Sequence, residues 1–220
     1  EARRKAETDA KQEAAVGVAR DLWHDAGKAA PAHGYLARKG LPPIGIRQHG
    51  DALLVPMVDP GFRLWNVQRI YPDSRKLFLS GGRTDGLFWS HGAFMQDGRP
   101  SAGPLVIGEG FATMAAVHRA TGHGVVAAMS VRNLEAVARA MRKLFLDRTL
   151  IVAADDDRHL PENIGLEAAQ RAAESVGALL ATPLPFGPET RSADSGTDFA
   201  DIAPAEVVAR IAHAGRHAHA

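Results

Sequence analysis

The chain has 220 residues, with 26 Lys and Arg against 25 Asp and Glu, 45% hydrophobic residues and no cysteine. This composition describes one compact domain or two small ones, and the lack of thiols excludes disulfide frameworks, thiolate zinc sites, iron–sulfur clusters and cysteine nucleophiles. No apolar run reaches the roughly 18 residues of a membrane span, and no signal-peptide core follows Glu1-Ala2-Arg3-Arg4-Lys5. The expectation is a cytoplasmic protein that makes no membrane contact and, because it begins with Glu rather than Met, is a piece of a longer chain.

From Thr8 to about Gly27, Val16, Ala19, Leu22 and Trp23 recur at helical spacing among Ala, Lys, Glu and Arg, which predicts a helix. A shorter helix over His33–Lys39 ends at Gly40, and Pro42-Pro43 forbids its continuation. The period then changes. Ala52–Val58 and Phe62–Ile70 flank Asp59-Pro60-Gly61 in a strand–turn–strand pattern. Further short strands are expected over Lys76–Leu79 and Leu87–Trp89, on either side of Ser80-Gly81-Gly82, so the stretch from about 50 to 92 reads as a small antiparallel unit.

After Gly103-Pro104, apolar strands (Leu105–Gly108, Val125–Ala128, Leu150–Ala154, Ala178–Thr182) alternate with helices (Phe111–Ala120, Leu134–Leu144, Gly165–Ser175). That alternation implies right-handed crossovers and an α/β architecture, a parallel sheet flanked by helices. Pro183–Gly196 reads as a polar loop, and the stretch with His213, His217 and His219 as a frayed polar tail. The expected division is an N-terminal helical segment over 1–48, a small, mainly antiparallel, basic β subdomain over 49–100 and an α/β catalytic domain over 101–220.

Charge is distributed unevenly. Between Gly61 and Arg83, Arg63, Arg69, Arg75, Lys76 and Arg83 face Asp73 alone, whereas between Asp155 and Asp201 ten acids face three arginines. Ordinary solvated surface and an electrostatic grip on a polyanion both fit this pattern.

In a parallel sheet, chemistry collects at the carboxyl edge, where strands end and helices begin. Two acidic positions fall there: Glu109 directly follows Leu105–Gly108, and Asp155-Asp156-Asp157 directly follow Ile151-Val152-Ala153-Ala154. Alternation along extended backbone would send Asp155 and Asp157 to one side and Asp156 to the other. Gathered carboxylates repel one another unless a cation neutralises them, and magnesium, a hard oxygen-seeking ion, suits such a set. From these residues alone, a metal site and an acidic surface loop both remain open.

Gly108-Glu109-Gly110-Phe111-Ala112-Thr113, paired with Ala154-Asp155-Asp156-Asp157 two crossovers later, resembles the Toprim domain shared by topoisomerases, bacterial primases, nucleases and recombination proteins. The run from Glu109 to Thr113 is similar to a motif of conjugative-plasmid and mobile-element primases. His33–Gly40, Leu53–Met57, Leu64–Ile70 and Lys76–Arg83 are similar to that group too, so the likeness spans about Ala29 to Ile202.

The resemblance implies that Glu109, Asp155 and Asp157 are catalytic and hold Mg2+ or Mn2+. It also implies a further metal ligand at Asp201, in a late motif where Ala200 replaces the family's Asn. Arg69 and Lys76 fall where primases carry basic residues that meet nucleotide and template. Arg83, after Gly81-Gly82, Arg132, after the second parallel strand, and Arg158, beside the aspartates, are further candidates for binding nucleotide or DNA. Trp65 and Tyr71 share a parity with Arg63 and Arg69 and are candidates for lining the groove.

The implied partners are a single-stranded DNA template, ribonucleoside triphosphates, and helicase or relaxase modules of the parent protein. The chain itself carries no zinc-binding module and no Walker-type Gly-Lys-Ser/Thr loop. The implied activity is magnesium-dependent synthesis of RNA primers on single-stranded DNA. The alternatives are a Toprim nuclease or strand-passage enzyme, and a non-catalytic single-stranded-DNA-binding accessory domain.

Overall fold

The alanine-rich start of the chain is helical as α1 (Ala2–Asp25) in a computed structural model that describes residues 2–94, 103–156, 163–183 and 198–217. The helix begins ahead of the expected Thr8, where the i,i+4 pairs Arg3–Glu7 and Lys5–Asp9, at 3.1 and 3.0 Å, support its first turns. Its second half supplies the apolar stripe. Ala19 and Ala26 pack with Leu54, Val67 and Leu79, and Leu22, Trp23 and Leu64 close around them. Arg47 finishes the helix by donating to the Trp23 carbonyl at 2.6 Å, with its guanidinium 4.7 Å from the centre of the same residue's ring.

The chain divides into two compact units, Glu1–Trp89 and Ser90–Ala220. The first holds α1, α2 (Gly34–Lys39) and an antiparallel sheet in chain order: β1 (Gly27–Lys28), β2 (Arg47–His49), β3 (Ala52–Val58), β4 (Leu64–Ile70) and β5 (Lys76–Phe78). Two of these strands thus come from the stretch read as helical. His33 caps α2, its Nδ1 accepting from the Tyr35 amide at 3.2 Å, and Gly40 ends that helix in the left-handed region at φ 61°. Between β3 and β4, Asp59 Oδ1 accepts from the amides of Gly61 and Arg63 at 2.9 and 3.0 Å, which fixes the turn.

The second unit contains β7 (Leu105–Gly108), α3 (Phe111–Thr121), β8 (Gly124–Ala127), a 3-10 turn (Val131–Asn133), α4 (Leu134–Leu144), β9 (Leu150–Ala153), α5 (Ile164–Val176), β10 (Leu179–Ala181) and α6 (Pro204–His217). The sheet order is β10-β9-β7-β8-β6, where β6 is Trp89–His91 and the pairings among β7 to β10 are parallel. The strand expected at Leu87–Trp89 is therefore displaced: Phe88 makes a single bridge to Val58, and the residues after it join the second sheet. Every residue of β7, β8 and β9 is buried, because α3 and α6 cover one face and α4 and α5 the other.

Helix α6 replaces the expected polar tail. Val207, Ile211 and Ala214 are buried at helical spacing, and burial of a Val or Ile side chain is worth about 1.5–3 kcal/mol. The expected loop Pro183–Gly196 lies outside the described residues beyond Pro183.

The strand order creates a crevice. From β7 the chain crosses through α3 to β8 on one side, and from β9 it crosses through α5 to β10 on the other. Adjacent strands whose connections leave in opposite directions define a switch point, and here it lies between the carboxyl ends of β7 and β9.

Candidate active site

Both acidic positions read from the sequence come to that switch point. Gly108 is in register with Ala153, so Glu109 and Asp155 emerge from neighbouring strand ends, on strands about 4.8 Å apart. Both are half-buried.

The backbone around Glu109 is held from the β8 side. Its carbonyl accepts from the Met129 amide at 2.7 Å, the Gly108 carbonyl accepts from Ala128 at 2.9 Å, and Asn133 donates to the Ala128 carbonyl at 2.8 Å. A Cβ at Gly108 would lie 2.5 Å from Met114 Cε and 3.3 Å from the Ala153 carbonyl, so a side chain there would have to displace the end of Met114. Gly110 is the N-cap of α3, and Thr113 in that helix's first turn is buried. Its hydroxyl donates to Asp155 Oδ1 at 3.2 Å. The Glu109–Thr113 motif thus supplies one carboxylate and a hydroxyl that orients the other.

The two described aspartates differ in environment: Asp155 is half-buried, whereas Asp156 is 0% exposed and accepts from Asn163 Nδ2 at 2.7 Å. Asp157 and Arg158 lie outside the described residues. Asp201 is exposed ahead of α6, in a turn where Asp198 Oδ1 accepts from the Ala200 amide at 2.6 Å. It does not gather with Glu109 and Asp155 into one ion-holding group. Arg132 is exposed on the 3-10 turn after β8, at the carboxyl edge.

The roles of Thr113, Asp156 and Asn163 went unassigned from sequence. Thr113 stood in the motif, yet its partner is 42 residues away, a relation that only the sheet order reveals.

In the first unit, Arg69 sits on β4 between Leu54 and Leu77 in the ladder. Its Nε is buried with no hydrogen-bond partner among the described residues, a donor suited to an anion. Lys76 is exposed at the start of the edge strand β5. Arg83 lies 4.9 Å and Arg63 4.1 Å from the centre of the Trp65 ring, while Trp65 Nε1 donates to Asp59 Oδ2 at 2.7 Å. Arg75 similarly covers Tyr71 at 4.3 Å, so arginine engages both aromatics proposed for the groove. Burial pushes the Asp59 carboxyl up, but the bonds from Trp65, Arg63 and Gly61 and the charge of Arg83 together hold it below its ordinary value.

Among the described residues no three His, Asp or Glu side chains form an ion-holding group. The donors present nevertheless fit a hard divalent cation, because Mg2+ is typically bound through one or two carboxylates with water and substrate phosphates completing the shell. Glu109 and Asp155 supply such a pair of oxygen donors, half-buried at one crevice.

Residues 104–208 match the Toprim domain family. Two Escherichia coli proteins, each named DNA primase TraC, are 38% identical to this chain over 161 residues, 70% of its length. The chain spans only 11% and 15% of those relatives. Among solved structures, the primase fragment of the bacteriophage T7 primase-helicase protein aligns with a TM-score of 0.57 at 13% identity, covering 80% of this chain and 73% of that one. The DnaG primase catalytic domain bound to ssDNA aligns at 0.54 and 14%, covering 97% and 80%. Both share the fold.

Proposed function

We propose that this chain, in which residues 104–208 belong to the Toprim domain family, is the primase region of a larger protein of the conjugative-plasmid type. In this reading it is a nucleotidyltransferase that builds short RNA primers on single-stranded DNA from ribonucleoside triphosphates. The observation that carries the reading is the meeting of Glu109 and Asp155 at the β7/β9 switch point, with Thr113 donating to Asp155.

The reaction joins a 3′-hydroxyl to the α-phosphate of the incoming nucleotide and releases pyrophosphate. Glu109 and Asp155, with Asp157 two residues further along the sequence, would hold a divalent ion. A magnesium or manganese ion held there would offset charge on the phosphoryl and leaving oxygens and would favour loss of the hydroxyl proton. Thr113 keeps Asp155 in one orientation, so the carboxylate needs little reorganisation when substrate arrives. Arg132 stands at the same edge to meet the triphosphate, and Arg158 follows the aspartates. Arg69, Lys76 and Arg83 supply cations for the phosphates of template and nucleotide. Helicase or relaxase modules of the parent protein provide unwinding.

The test is incubation with single-stranded template, ribonucleotides and Mg2+. New oligoribonucleotides that disappear in Glu109→Gln and Asp155→Asn support the reading. A shortened template points instead to a nuclease, and binding without synthesis points to an accessory domain.

A further inference from the structure

Asp156 is a fully buried carboxylate, 0% exposed, between a half-buried Asp155 and the span that leads to α5. Burying an ionisable group is costly unless specific donors receive it. Asn163 meets that need and does more. Its Nδ2 donates to Asp156 Oδ1 at 2.7 Å, while its own Oδ1 accepts from the Leu166 amide at 3.3 Å as the N-cap of α5. One side chain therefore ties the carboxyl end of β9 to the amino end of α5. The N-terminal end of a helix also favours a nearby negative charge.

We infer that Asp156 is a positioning residue: the Asp156–Asn163 clasp fixes the end of β9 and so sets the Asp155 carboxylate for the ion. This rests on the metal reading of Glu109 and Asp155. The clasp acts on Asp155 through the adjoining backbone, and Thr113 acts through the carboxylate itself. Asp156 is fully enclosed while its chain neighbour Asp155 keeps some exposure, so fixing the first carboxylate restrains the backbone that carries the second. The partners of a metal ligand typically govern its affinity for the ion by 10–100-fold, although they never touch it.

The experiment uses Asp156→Ala and the exchanged double variant Asp156→Asn/Asn163→Asp. In the exchange, an amide at 156 donates to a carboxylate at 163, which also caps α5, so the clasp is rebuilt with its polarity reversed. Mn2+ affinity is read by titration, and the thermal unfolding transition is followed in parallel. Asp156→Ala should weaken Mn2+ binding about tenfold while still unfolding in one cooperative transition, and the exchange should restore the affinity to within about threefold.

Unchanged Mn2+ affinity in Asp156→Ala, or an affinity lost only together with the cooperative unfolding transition, overturns the positioning role. An exchanged variant as weak as Asp156→Ala does so too, because the charge at 156 would then matter directly and not through the clasp. If the unaltered protein binds no Mn2+, the metal reading of Glu109 and Asp155 fails first, an outcome distinct from the other three.

Discussion

Thr113 donates its hydroxyl to Asp155 Oδ1 at 3.2 Å, from the first turn of α3 to the end of β9. A hydrogen bond to a charged group is worth about 1.5–3 kcal/mol. Thr113→Val keeps the shape and removes the donor, so primer synthesis is expected to fall about tenfold. Thr113→Ser should recover most of it. Single-turnover synthesis at saturating template checks both variants, and full activity in Thr113→Val would remove this bond from the mechanism.

Lys76 opens the exposed edge strand β5. Lys76→Ala is expected to weaken single-stranded DNA binding similarly for all sequences and to reduce the salt dependence of log K by about 0.7, the contribution of one phosphate contact on a single strand. Unfolding stability should change by less than about 0.5 kcal/mol. Fluorescence anisotropy across a salt series checks this, and unchanged affinity at low salt would take Lys76 out of the interface.

Gly82 packs against a fully buried Asn66, where an added Cβ would lie 2.5 Å from Asn66 Nδ2 and 3.2 Å from the Leu79 carbonyl. Asn66 holds this corner by donating to the Arg83 carbonyl at 2.8 Å and accepting from the Leu79 and Val67 amides. Gly82→Ala must push that side chain aside and is expected to cost about 1–3 kcal/mol. Urea unfolding should show a lower midpoint with an unchanged slope.

Asp59 carries a pH signature. Burial alone would raise its pKa, but the bonds from Trp65, Arg63 and Gly61 and the Arg83 charge depress it below the ordinary 3.8. A depressed carboxylate adds stability that is fully present above the unfolded value and is lost as pH falls through the folded one. The stability gap between the native protein and Asp59→Asn should therefore be constant at neutral pH and shrink below pH 3.8. Denaturant midpoints measured across that window check it, and a gap that widens on acidification would reverse the assignment.

Where a segment's role is set by its own pattern, the sequence was legible. The apolar runs of β7 and β9, the glycine stops after α2 and α3, and the Asp59 turn all announce themselves within a few residues. Helix α6 was equally readable from Val207, Ile211 and Ala214, and the histidines around it obscured that stripe. By contrast, β1 and β2 are two and three residues long, and they exist only because β3 offers an edge to pair with.

The sequence by itself determined that Glu109 and Asp155 each end a buried strand, because alternation and apolar runs are encoded over neighbouring residues. Only the tertiary structure decided that β9 lies beside β7 and not beside β8, which brings those carboxylates to one crevice. Strand order is chosen by how helices and sheet bury one another across the whole unit, and no single segment's periodicity carries that choice. The same holds for the bonds from Thr113 to Asp155 and from Asn163 to Asp156, whose partners meet only once the sheet and its flanking helices have assembled.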